Sequence, residues 1–214
     1  MLQPAHSGTF SRQRQHFLIT MSTLLSIIIP IRQGGNPAPT LTSLARSTFQ
    51  DFEIVCSWDH ASNANAARNA GFRLSSAPFV LFSDDDIAWE PDALARLIST
   101  LEAHPGASYA YGSYAMHGRV QCDRPFNPVA LRRQNYISTM SVIRRDAFPG
   151  FDEGLRRLQD YDLWLTMLAA GHVGVYCGAQ IFSTKVRNGI TYAPDAIPYE
   201  EALRVVHRKH GIGR

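Results

Sequence analysis

The run LLSIIIP, residues 24–30, is aliphatic at all but one position before its proline. A strand with one face in water alternates apolar and polar residues, and this one does not. It therefore has to be buried on both faces, which requires helices covering both sides of a sheet. FEIVCSW (52–58) and PFVLFS (78–83) are two further strand-like runs. Between and after them come helical patterns. In APTLTSLARSTF, Leu41, Leu44 and Ala45 share a face; ASNANAARNAGFRLSS is alanine-rich, with Ser62 or Asn63 as N-cap. EPDALARLISTLEAH places Pro91 near the first turn and Leu94, Leu97, Ile98 and Leu101 on one side. Strand and helix alternating three times predicts an α/β fold with a mainly parallel central sheet flanked by helices.

The second half is less regular. SYAYGSYAMHG reads as a strand or hairpin, CDRPFNPVALRRQNYIST as loop and short helix, and MSVIRRDAF as another strand. LQDYDLWLTMLAAGH becomes helical from about Gln159, with Gly171 as C-cap; VGVYCGAQIFSTKVR is β-rich, and PYEEALRVVHRKH is an amphipathic helix. The 214 residues suit one domain, with residues 1–21 expected to be a disordered leader and 22–214 the folded unit.

Composition excludes several classes. The formal charge of +3 comes from scattered Lys and Arg, which argues against nucleic acid. The densest basic group, Arg204, His207, Arg208, Lys209 and His210, reads as a solvated helix face or as contact with an anionic surface. Cys56, Cys122 and Cys177 form no CxxC pair, so a reduced, cytoplasmic compartment is expected. No apolar run is long enough to span a bilayer.

Three groups could carry chemistry. Asp84, Asp85 and Asp86 follow a buried strand at its carboxyl end, where ligands bind in α/β sheets. Adjacent carboxylates repel, and a hard cation such as Mn²⁺ or Mg²⁺ would neutralise them; a solvated acidic turn is the alternative. If the backbone stays extended, Asp84 and Asp86 share a side and Asp85 points away. Asp160 and Asp162 open a helix, as capping groups or, for one of them, as a general base. Asp59 and Arg68 lie where a ligand at the strand ends could be reached, and Lys185 and Arg187 could meet a phosphate.

These pieces stand in a definite order: LLSIIIPIRQ, LTSLARSTFQDFEIV, AARNAGFRLSSAPFVLFSDDDIAWEPDALARLI, GFDEGLRRLQDYDLWLTMLAAGH. From residue 24 to 172, and more loosely to 191, the chain resembles the family 2 glycosyltransferases of the GT-A fold. The resemblance implies inverting transfer of a sugar from a nucleotide-diphosphate sugar, a UDP-sugar above all, to a glycan, lipid-linked or protein acceptor. It implies a nucleotide-sugar-binding half, 22–104, and an acceptor-binding half, 105–214. It places Pro30, Ile31, Arg32, Asp59, Arg68, Asp84 and Asp85 around the donor and Asp84 and Asp86 on the metal. Asp160, after Gln159, becomes the catalytic base, with Asp162 and Trp164 as acceptor contacts or support. A cytoplasmic enzyme of glycan synthesis, peripheral at the inner face of the membrane, would fit.

The chain departs from the family at Arg32 and Gln33, where Tyr-Asn is usual. Only HASNAN separates Asp59 from AARNAG, so a helix and an edge strand usual there are missing. No third metal ligand stands out, Asn188 being the nearest candidate. A non-catalytic binding module of the same fold and a sugar-phosphate nucleotidyltransferase are the competing readings; the latter lacks a well-spaced glycine-rich loop after the first strand.

Overall fold

The structure is a computed structural model that describes residues 23–59, 63–184 and 197–213. The leader 1–21, Ser62, Lys185, Arg187 and Asn188 lie outside the described residues, as does the side chain of Asp59.

β1 (Leu25–Arg32) lies between β2 (Phe52–Asp59) and β3 (Phe79–Phe82), parallel to both. Its two faces are buried as the aliphatic run requires. Leu25, Ile27, Ile29 and Ile31 enter one core, which also holds Leu44 of α1 (Ala38–Leu44) and Leu94, Leu97 and Leu101 of α3 (Ala93–Ala103). Ile28 enters the opposite core, against which Phe72 of α2 (Ala64–Leu74) packs. β3 divides in the same way, Phe79 and Leu81 to one side and Val80 and Phe82 to the other. Each buried aliphatic contributes about 1.5–3 kcal/mol. Gly71 lets α2 approach β1, because a Cβ there would meet Ile28 Cγ2 at 2.5 Å.

β1 does not stop at Pro30. It continues to Arg32, with Pro30 opposite Ser57 and Arg32 opposite Asp59. The proline is tolerated because β3 pairs only as far as Ile28 opposite Phe82, so no neighbour on that side requires its missing N–H.

The remaining elements are β4 (Ile87–Trp89), β5 (Tyr109–Met116), β6 (Arg119–Gln121), α4 (Pro128–Arg133), β7 (Val142–Arg144), α5 (Gln159–Ala169), β8 (Gly174–Thr184) and α6 (Tyr199–Lys209). The sheet runs β2-β1-β3-β7-β5-β8-β4, with β6 pairing β5. It is mixed rather than purely parallel, with parallel pairing along β2-β1-β3 and β5-β8. β7 enters antiparallel between β3 and β5, and β4 and β6 pair antiparallel with β8 and β5. The β5–β8 pair is parallel and shifts register around Gly112. That glycine is required, since a Cβ would meet Ala179 O at 2.7 Å and Ile181 Cγ2 at 2.6 Å.

Asn63 caps α2, its Oδ1 accepting from Ala66 N at 3.2 Å. Asp92 precedes α3 without capping it and pairs with Arg96 at 2.6 Å instead. Gly171 (φ +86°) ends α5.

Candidate active site

Phe82 is the last residue of β3, and the three aspartates follow within the short link to β4. The extended geometry does not persist here. The chain turns at Asp85 and Asp86, which sends the three carboxylates to different surroundings. Asp84 is half-buried and forms an ion pair with Arg68, Nη2 to Oδ1 2.9 Å. Asp85 is buried and its Oδ2 has no hydrogen-bond partner. Asp86 is exposed. The pairing of Asp84 with Asp86, away from Asp85, is therefore replaced by three distinct positions.

Protein groups hold this turn. Thr40 Oγ1 donates to the carbonyls of Asp84 and Ile87, both at 3.1 Å, and accepts from Ile87 N at 3.0 Å. Ser83 Oγ reaches Asp84 O at 3.1 Å and accepts from Trp89 Nε1 at 3.1 Å. Gly35 N donates to Arg32 O at 2.8 Å, closing a turn in which Gly34 has φ +73°. The carboxylate of Asp85 lies against Gly35, so closely that a Cβ on Gly35 would overlap Oδ2. Burial raises the pKa of Asp85 above the ordinary carboxylate value, and partial desolvation in the turn raises that of the more open Asp86; neighbouring aspartates add to the rise and Arg32 opposes it.

The sequence AARNAG does more than supply one arginine. Arg68 is buried in α2, with its guanidinium 5.3 Å from the Phe151 ring centroid. Asn65 Nδ2 donates to the carbonyls of Asp152 and Leu155 at 2.7 and 2.9 Å. Asn69 exchanges two 2.9 Å bonds with the backbone of Phe151. These contacts tie α2 to the loop that leads into α5.

That loop ends at Leu158, a left-handed residue with φ 60° and ψ 29°. A non-glycine residue in this region is uncommon and costs of order 1–3 kcal/mol. It sets the first turn of α5, with Asp162 N donating to Leu158 O at 3.0 Å. Asp160 stands in that turn. Its Oδ2 accepts from Asn135 Nδ2 at 2.8 Å and its Oδ1 from its neighbour Tyr161 N at 2.9 Å. Burial raises the pKa of Asp160, against the lowering effects of those two hydrogen bonds and of the Arg68 charge. Arg68 thus relates the acidic turn to Asp160, although the two are far apart in sequence.

Asp162 turns the other way. It is buried, with Oδ2 2.9 Å from Lys209 Nζ and Oδ1 2.8 Å from His210 Nε2, and it anchors α6. Trp164 is wholly buried, stacked on Tyr109 with centroids 4.5 Å apart, and its Nε1 donates to Ile137 O at 2.9 Å. Both support the helix that carries Asp160 and neither is placed to touch an acceptor. Ile31 is likewise withdrawn from a ligand-lining role, because β1 continues and its alternation carries Ile31 into the core with Ile27 and Ile29. Pro30 is buried beside it, Arg32 is exposed, and Asp59 ends β2 opposite Arg32 in the ladder.

Thr40, Gly35, Asn65, Asn135 and Leu158 were not singled out by the sequence patterns. Asn65 and Asn69, four apart in an alanine-rich helix, carried a readable signal. Asn135, in a loop, carried none.

Among the described residues no three or more His, Cys, Asp or Glu side chains gather to hold a metal. A divalent ion that keeps several positions for water and substrate phosphates needs only one or two carboxylates. The buried, unpartnered oxygen of Asp85 and the exposed carboxylate of Asp86 fit that mode. No helix among the described residues is long and apolar enough to cross a membrane.

Residues 56–149 match the model of the family described as Glycosyl transferase family 2. An uncharacterized glycosyltransferase of Haemophilus influenzae is 25% identical, the match covering 68% of this chain and 62% of that protein. The uncharacterized protein y4gI of Sinorhizobium fredii is 31% identical over 46% of this chain and 12% of its own length. Among solved structures, S. aureus TarS 1–349 in complex with UDP-GlcNAc superposes with a TM-score of 0.70 at 15% identity, covering 86% of this chain and 66% of that one. The complex of the same protein with UDP gives 0.68 at 15% identity, over 86% and 64%. The chain thus spans roughly three-fifths of the Haemophilus relative and about two-thirds of the TarS chains. Residues 56–149 thus carry the sequence pattern of family 2 glycosyltransferases, and the chain's fold is similar to that of TarS.

Proposed function

We propose that the chain transfers a sugar from a nucleotide-diphosphate sugar to an acceptor hydroxyl with inversion. The observation that carries this reading is α2, whose Arg68 pairs with Asp84 while its Asn65 and Asn69 hold the loop that leads into α5 and Asp160. It relates a donor site at the strand ends to a base on α5. The TarS complexes with UDP and UDP-GlcNAc favour a uridine nucleotide as donor.

In this reading Asp160 accepts the proton of the acceptor hydroxyl as the oxygen attacks the anomeric carbon, opposite the departing diphosphate. Asn135 and the Tyr161 N–H orient its carboxylate, and burial makes it a stronger base than a solvated aspartate. Asp86, with Asp84 or Asp85 beside it, would hold Mn²⁺ or Mg²⁺. When bound, the ion offsets charge on the leaving diphosphate. Arg32 and Asp59, paired at the ends of β1 and β2, flank the donor's nucleotide. The acceptor is a glycan, lipid-linked or protein hydroxyl, and the work is cytoplasmic glycan synthesis near the membrane's inner face.

The test is a panel of nucleotide-sugars with and without Mn²⁺, read as nucleotide release, beside calorimetry with UDP. Metal-dependent release that Asp160→Asn abolishes, with UDP binding kept, is the expected result. UDP binding without release from any donor would make the chain a non-catalytic binding module. No binding of any nucleotide would overturn the reading.

A further inference from the structure

A cavity of about 290 Å³ opens beside α4, lined by Arg124, Asn127, Val129, Ala130, Arg133 and Gln134. Two of the six are arginines and none is acidic. Arg124 is held rigidly: its guanidinium lies 3.7 Å from the Tyr136 ring centroid, and its carbonyl accepts from Tyr111 Oη at 3.0 Å. Among the described residues, neither the Arg124 nor the Arg133 guanidinium makes a hydrogen bond or an ion pair with the protein. Tyr136 Oη is itself fixed, accepting from Asn127 N at 2.8 Å, so the stacked floor beneath Arg124 is preorganised.

The position of the cavity gives it meaning. Gln134 lines it, and the next residue, Asn135, orients the Asp160 carboxylate. Consecutive Cα atoms are about 3.8 Å apart, so a group seated in the cavity lies close to the segment that holds Asp160. Two guanidiniums with unused donors favour a tetrahedral oxyanion, which arginine grips bidentately.

We propose that this cavity is a phosphate subsite: it seats a phosphate monoester or diester of the acceptor and holds the acceptor hydroxyl toward Asp160. Its role in acceptor binding rests on the glycosyl-transfer reading above, whereas phosphate binding itself does not.

The test uses the full chain. Binding of sn-glycerol 3-phosphate is measured by calorimetry, and binding to phosphatidylglycerol and phosphatidylcholine vesicles by co-sedimentation. Wild type is compared with R124Q/R133Q and with R156Q/R208Q, a charge control away from the cavity. Wild type should bind glycerol 3-phosphate, the phosphatidylglycerol vesicles, or both, and R124Q/R133Q should weaken that binding tenfold or more. R156Q/R208Q should bind like wild type, and UDP affinity should be unchanged in both variants. Capture of vesicles without glycerol 3-phosphate assigns the phosphate to a lipid headgroup, and the reverse to a soluble acceptor. Equal binding by wild type and R124Q/R133Q, or none by wild type, overturns the proposal. Phosphate binding with no UDP binding would overturn the glycosyl-transfer reading and leave the subsite standing.

Discussion

Arg68 Nη2 lies 2.9 Å from Asp84 Oδ1, the arginine almost wholly buried and the aspartate half open. Removing the arginine leaves Asp84 without its partner and the Asn65 Oδ1 acceptor, 3.3 Å from Nη1, without its donor. Arg68→Met should cost about 1–3 kcal/mol in urea denaturation, less than a fully buried pair because Asp84 is partly solvated. Arg68→Lys should recover only part of this, since Arg68 reaches Asn65 and Asp84 from two separate nitrogens of a planar fork that lysine lacks.

Asp160 is a carboxylate whose burial opposes its charge. Asp160→Asn should reduce transfer by about 10²–10⁴-fold while leaving UDP affinity unchanged. The wild-type rate should rise with pH through a pKa above the usual carboxylate value. A folded pKa above the unfolded one means that the burial penalty is absent at low pH and appears as the pH rises through that window. The stability of Asp160→Asn relative to wild type should therefore increase from acid to neutral pH, read from paired urea titrations.

Gly35 leaves room for the Asp85 carboxylate and for Arg32 O, which a Cβ would approach to 2.9 Å. Gly35→Ala should displace Asp85 at a cost of about 1–3 kcal/mol. Mn²⁺-dependent UDP binding should fall with it, and Asp86→Asn should lower that binding by about 10–100-fold. Calorimetry with UDP across a Mn²⁺ series measures both; unchanged binding in Asp86→Asn removes that residue from the metal.

Lys209 Nζ joins Asp152 at 2.6 Å and Asp162 at 2.9 Å. The hydrogen bond from Lys209 holds the pKa of Asp152 below its ordinary value. That contribution is present above the unfolded pKa, near pH 4, and is lost as the pH falls through the depressed folded value. Lys209→Met should cost about 1–3 kcal/mol at pH 7, with the gap to wild type shrinking below pH 4. Proteolytic clipping near α6 should become faster in the variant.

Local patterns announced the elements because each is written in contiguous residues. The aliphatic run of β1 declared burial on both faces, and Asn63, Gly171 and the leucines of α3 marked their helices. Tertiary choices left no such trace. β7 inserts antiparallel because of where the chain returns, and nothing in VIR states a direction. The acidic run was visible as a charge anomaly, but its division into three surroundings depends on Arg68, Thr40 and Gly35 from three other segments. Asp160 and Asp162 look equivalent in one turn of sequence; the Lys209 and His210 that separate their roles lie nearly fifty residues on.

The link between β3 and β4 also fixes a length. β3 and β4 stand at opposite sides of β7, β5 and β8 in the sheet, and four strand spacings laid flat would measure about 19 Å. By register Phe82 stands level with Tyr111, while Ile87 stands level with Met116, about 17 Å further along. The diagonal of a flat sheet would be about 25 Å, yet five residue steps reach at most about 18 Å even without a turn. The sheet has to bend back on itself, and the register shift at Gly112 gives it a place to do so. The three aspartates therefore ride on a short tether that closes the curl: one residue more would slacken it, and one fewer would draw β4 away from β8.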